Sequence, residues 1–100
     1  MGAAKEANVA KIAYGCNGTA GNGGLDWVIE TGTPSLPFRV RFIGETQGRK
    51  FSHGGRVRRT SRAFSFATLE RALDLAEAAA HQITGETPRS FDATTHEPIL

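Results

Sequence analysis

The stretch SFATLERALDLAEAAAHQITG, residues 65–85, decides which folds are open to this chain. Leu69, Ala72, Leu73, Ala76, Ala79, Ala80 and Ile83 recur at spacings of three and four, which lines them along one side of an α-helix. Thr68 stands at the N-cap position, where its hydroxyl can accept a backbone N–H that the first turn leaves unpaired. Glu70 suits the positive end of the helix dipole, and Gly85 suits the left-handed residue that ends a last turn. Such a helix is about 22 Å long, enough to cover one face of a small sheet, and its alanines allow a close approach. Glu70, Asp74 and Glu77 fall on its outer side, so that face is acidic.

Upstream the period changes to two. In FRVRFIG, residues 38–44, Phe38, Val40 and Phe42 alternate with Arg39 and Arg41, so one face enters a core and the other shows guanidinium groups to solvent. RKFSH, residues 49–53, is a short strand with Phe51 inward; Gly54-Gly55 supplies a tight turn, and RVRRTS opens the next strand. Val57 and the pair Phe64 and Phe66 lie on opposite parities, which calls for a bulge or a break near Thr60–Ala63. LDWVIET, residues 25–31, is rich in β-branched and aromatic residues and reads as a strand closed by Gly-Thr-Pro-Ser-Leu-Pro. AAKEANVAKIAY, residues 3–14, is either helix or strand, GCNGTAGNGG reads as a loop, and ETPRSFDATTHEPIL is a short strand or a surface tail anchored by Phe91.

The expectation is a single α+β domain over residues 1–100: an antiparallel sheet of three to five strands with one long helix packed on one face. Residues 1–37 form an N-terminal strand and glycine-rich segment, 38–85 the basic strands and helix, and 86–100 the tail. At 39% apolar residues the chain supports one core, thin because much of that count is alanine, with six Phe supplying the bulk. No apolar run approaches the roughly 20 residues of a membrane span. MGAAKEANVAKIAY lacks the apolar segment of a signal peptide, and Glu6 stands where myristoylation needs Ser or Thr. The lone Cys16 excludes an internal disulfide and fits a reducing compartment, which makes the Asn17-Gly18-Thr19 glycosylation triplet incidental. A soluble cytoplasmic protein without membrane contact is expected.

Catalysis finds little support. Cys16, His53, His81 and His96 share no metal-ligand spacing, and there is no Gly-x-Ser-x-Gly elbow and no evident carboxylate pair. The glycine-rich loop lacks the Gly-Lys-Ser/Thr ending of a phosphate loop, and no helix follows it as a dinucleotide site requires. Cys16 is read as an accessible loop thiol with no positive neighbour to stabilise a thiolate. The expectation is a non-enzyme with no cofactor and no metal.

Charge is more informative. Residues 39–62 hold Arg39, Arg41, Arg49, Lys50, Arg56, Arg58, Arg59 and Arg62 against Glu45 alone. The other 76 residues hold four basic and nine acidic side chains. Basic residues on open strands discourage edge-to-edge aggregation, but solubility alone is served by mixed signs, and like charges on adjacent strands repel. An anion held among these eight residues explains the imbalance better. The leading expectation is a nucleic-acid-binding protein that contacts the phosphate backbone, duplex DNA being the favoured partner because a two-stranded ribbon fits the major groove. Base stacking on RNA is less favoured, since the Phe residues alternate inward. The alternative is a protein-interaction module that uses the acidic helix face. The hairpin is expected to join Arg39 and Arg41 on a neighbouring strand in one basic face.

The order strand, strand, strand, helix, with the helix introduced by Ser65-Phe66-Ala67-Thr68-Leu69-Glu70-Arg71-Ala72, resembles the small arm-type DNA-binding domains of phage integrases over roughly residues 38–83. That resemblance implies a three-stranded sheet whose exposed face reads duplex DNA; the recombinase domain is missing, so no integrase activity is implied. A few strands followed by one alanine-rich helix is also similar to small phage-encoded inhibitors, anti-CRISPR proteins among them, which implies occupation of a protein surface.

Overall fold

The computed structural model describes residues 10–16 and 25–99. Its elements follow in the order β1 (Lys11–Cys16), β2 (Leu25–Thr31), β3 (Phe38–Phe42), β4 (Lys50–His53), β5 (Arg56–Arg59), β6 (Phe64–Phe66), α1 (Leu69–Thr84) and β7 (Arg89–Asp92), with one 3-10 turn at Gly44–Thr46. Five strands form an antiparallel sheet in the order β6-β3-β2-β1-β7, and β4 with β5 makes a separate two-stranded hairpin. The fold is α+β, with α1 packed on the five-stranded sheet.

The connection from β6 to β7 explains the length of the helix. These strands are the two edges of the sheet, four strand spacings or about 19 Å apart, and α1 carries the chain from one to the other. Beneath it lie Ala13, Trp27, Ile29, Val40 and Phe42, all buried. From the helix come Ala72, Leu75, Ala76, Ala79 and Ala80, with Leu69, Leu73 and Ile83 at the margin. Leu75 is absent from the stripe read in the sequence yet is 1% exposed; it stands three residues from Ala72 and four from Ala79, on the same side of the helix. The Thr68 hydroxyl accepts from the Arg71 N–H at 3.2 Å, and Gly85 closes the helix at φ 78°. Of the expected acidic face, Glu70 and Asp74 are exposed, whereas Glu77 turns toward β7 and accepts from the Ser90 hydroxyl at 2.5 Å.

Residues 25–31 form β2 as expected, and β1 resolves the ambiguity of residues 10–14 in favour of a strand. Gly15 and Cys16 belong to β1 and not to the glycine-rich loop; the remaining calls on residues 1–9 and 17–24 lie outside the described residues. Gly15 pairs with Trp27, and a Cβ there would come within 2.0 Å of the indole ring. Only a glycine lets the indole lie over β1. Cys16 is buried, not accessible, and burial, then Asp26, pushes its thiol pKa up against the opposing pull of Arg89. The segment after the helix is a strand: β7 pairs with β1, and Pro98 bridges back to Phe91.

The break near Thr60–Ala63 is present, between β5 in the hairpin and β6 in the large sheet. Thr60 anchors it from a buried position. Its hydroxyl accepts from the Arg49 N–H at 2.7 Å and donates to the Thr46 carbonyl, which fixes the hairpin base to the 3-10 turn. Among the described residues, no helix is long and apolar enough to cross a membrane.

Candidate nucleic-acid interface

The eight basic residues named above fall into two environments. Arg39 and Arg41 project from β3 on the side away from α1, as their alternation requires. Neighbouring β2 places Glu30 opposite Arg39. The Glu30 carboxylate accepts from Arg41 at 3.3 Å and lies 3.8 Å from Arg39. Its side chain is 8% exposed, against 48% and 47% for the two arginines, so it is covered by the groups it neutralises.

Arg49, Lys50, Arg56, Arg58, Arg59 and Arg62 make no ion pair among the described residues. They do not continue the β3 face. β3 pairs with β2 and β6, while β4 and β5 pair only with each other, so the expected single basic face through neighbouring strands is not formed. The physical reason is Phe51. Its ring is buried 6.0 Å from both Phe42 and Phe64, which draws β4 onto the α1 side of the sheet. Gln82 of α1 fixes the hairpin there: it accepts from the Ser52 N–H at 2.8 Å and donates to the Ser52 carbonyl at 2.6 Å. His53 adds a 3.0 Å contact to Asp74. The strands over residues 38–59, β3, β4 and β5, therefore do not form one sheet; β3 lies instead between β2 and β6.

The hairpin turns on Gly54 and Gly55, at φ 63° and 75°, a pair of left-handed residues suited to a two-residue turn. Register puts Phe51 opposite Arg58, facing the core, and Lys50, Ser52, Val57 and Arg59 on the outer side, where Val57 is 71% exposed. Past β5 the turn brings Arg62 back. Arg56, Arg58, Arg59 and Arg62, with Val57 and Phe64, line an open concavity of about 570 Å³. Arg58 holds its guanidinium 5.7 Å from the Phe64 ring centre, and its buried Nε has no hydrogen-bond partner. The residues that line the concavity thus include four arginines and no carboxylate. Arg49 lies apart, beside Glu45, Ile83 and Thr84, and Lys50 faces Arg59 across the hairpin.

A further set of groups was not legible as a site in the sequence. Tyr14 on β1 and Phe91 on β7 are directly paired, their rings 5.4 Å apart and 20° from parallel. The Arg89 guanidinium stands 5.9 Å from the Phe91 ring, and His96 Nδ1 lies 3.1 Å from the Tyr14 hydroxyl. Among the described residues no group of three or more His, Cys, Asp and Glu is placed to hold a metal ion. No family model matches the chain, and no curated protein or solved structure matches it.

Proposed function

We propose that this protein is a non-catalytic nucleic-acid-binding protein of the cytoplasm that grips the phosphate backbone through the arginines of β5 and the turn after it. The observation that carries this reading is the concavity itself: four arginines, no lining acid, and one guanidinium nitrogen buried without a partner. Arginines gathered with no carboxylate among them are matched by phosphate oxygens, which take charge-assisted hydrogen bonds from guanidinium groups. The hairpin is also a narrow ribbon with a glycine tip and a basic outer side, a shape that fits a groove of duplex DNA. Backbone contacts of this kind position the protein and are indifferent to sequence, in keeping with a regulatory or architectural role.

The alternative, a protein partner taken by the acidic helix face, has less to stand on. Asp74 is engaged with His53 and Glu77 with Ser90, which leaves Glu70 as the one exposed carboxylate of the three without a partner among the described residues. The test is a salt titration. Four arginines on four phosphates give log affinity against log salt a slope of about −4. Absence of duplex binding at about 50 mM salt would sink the proposal.

A further inference from the structure

The side of the large sheet away from α1 combines aromatic and basic groups in a way the hairpin does not. We propose that this open face takes an unpaired base of single-stranded DNA or RNA, seated in a groove beside Tyr14, with Lys11, Arg39, Arg41 and Arg89 following the adjoining phosphates. The inference rests on the nucleic-acid reading and extends it to a second surface and to a class of strand.

The groove measures about 300 Å³ and is lined by Lys11, Tyr14, Leu25, Val28, Ala93 and His96. That is the small end of the range for ligand sites, which suits one ring system and not a run of nucleotides. Its apolar lining is Leu25, Val28 and Ala93, with Val28 itself 2% exposed, and its polar lining is Lys11, Tyr14 and His96, the few polar groups a base edge requires. Tyr14 is supported from behind by Phe91, so its ring is held upright as one wall. His96 is held as well. It adopts φ 62°, a left-handed conformation uncommon for a residue with a side chain. The turn that imposes it is tied by the Asp92 carboxylate, which accepts from the N–H groups of Thr94 and Thr95 at 2.7 and 3.0 Å, while the Asp92 carbonyl accepts from His96 at 2.7 Å. These two N–H groups also hold the Asp92 carboxyl below its ordinary pKa. A strained residue kept beside an aromatic wall is a pointer to a binding site.

Charge selects the occupant. The acids of β2 next to this face, Asp26 and Glu30, are 2% and 6% exposed, and Glu30 is engaged by two arginines. From β3 to β7 is three strand spacings, about 14 Å, so one strand crossing the sheet meets Arg39 and Arg41 first and the aromatic pair last. Interleaved stacking rings and arginines are the means by which proteins hold single strands without reading sequence. A duplex keeps its bases stacked inside and has no use for the groove.

The experiment measures anisotropy of a labelled oligothymidine, an oligouridine and a hairpin duplex of equal length against the full chain, with Tyr14→Ala, Tyr14→Phe and Phe91→Ala beside it. Loss of a stacking wall should weaken both single strands about tenfold or more and leave the duplex within twofold, with Tyr14→Phe, which keeps the ring and loses only the hydroxyl, weakened less than Tyr14→Ala. Tyr14 is the chain's single tyrosine, so its ring resonances are assigned without ambiguity and should move upfield when oligothymidine is added to unmodified protein. This readout does not depend on a variant folding. Unmoved Tyr14 resonances with saturating oligothymidine would overturn the inference while leaving the backbone-binding proposal intact. Failure of the wild-type protein to bind either single strand or duplex would overturn both.

Discussion

Arg39 and Arg41 on β3 and the arginines of β5 and its following turn belong to one basic run of sequence, yet their surroundings differ. The β3 pair shares a buried Glu30, so two positive charges leave a net one at the surface. Among the described residues the hairpin group has no such counter-charge, and four of its arginines line an open concavity. The difference comes from strand pairing. β3 lies beside an acid-bearing strand in the middle of the large sheet, whereas β4 and β5 are drawn to the helix by Phe51 and Gln82 and see no acid-bearing strand at all. A charge count along the chain therefore overstates one region and understates the other.

The strongest way to break this comparison is charge reversal in each region. Arg59→Glu with Arg62→Glu, both exposed, should lower duplex affinity about a hundredfold at low salt and shift the salt slope by about 2, without changing thermal stability much. Arg39→Glu with Arg41→Glu should instead destabilise the fold, because three carboxylates would then meet at the buried position of Glu30. Equal losses of binding with unchanged melting temperatures would show the two regions to be equivalent. A smaller effect is expected from Gln82→Ala, which removes both bonds to Ser52 and should cost about 1–2 kcal/mol. Hydrogen exchange should quicken in β4 and leave β2 protected; uniform loss of protection would mean that hairpin and sheet open as one unit.

Glu30→Gln frees the β3 pair. Because both guanidinium groups are half exposed, the change in stability should stay under about 1 kcal/mol, while DNA affinity rises a few-fold. The mildest prediction is one of sign. Asp26 lies in the same strand as Glu30 but its Oδ2 has no hydrogen-bond partner, and burial, then Glu45 and Glu86, pushes its pKa above 3.8. The folded state thus favours the protonated acid. Its contribution to stability is complete below the unfolded pKa and is lost as pH rises through the folded one. Asp26→Asn should abolish that loss, so its advantage over wild type should grow from pH 3 to neutrality in thermal melts; an advantage independent of pH would refute the assignment.

Local pattern carried the helix, its cap and the bounds of β2, because periodicity and capping depend on neighbours in sequence. It carried the solvent side of β3 for the same reason. Pairing partners depend on distant residues, so nothing near Arg56 indicated that its strand would leave the sheet of Arg39. Glu30 could have been suspected from its alternation within LDWVIET, but only register places it against both arginines. Tyr14 and Phe91 are 77 residues apart and lay in the two segments that pattern left undecided. Their one local sign was a ring next to strand-forming residues and away from the inward Phe set. Leu75 was missed for a simpler cause, since the stripe was drawn through Leu73 and is centred one side chain further round.

The approach of Trp27 to Gly15 has an optical consequence. The chain has one tryptophan, wholly buried against a bare stretch of β1, and one tyrosine on the opposite face of the same sheet. Tryptophan emission should be blue-shifted in the native protein and report the integrity of β1 and β2, with little sensitivity to the hairpin. Any side chain introduced at position 15 would displace the indole and shift that emission to the red before the protein unfolds. The molecule thus carries separate chromophores for its core and for its open face.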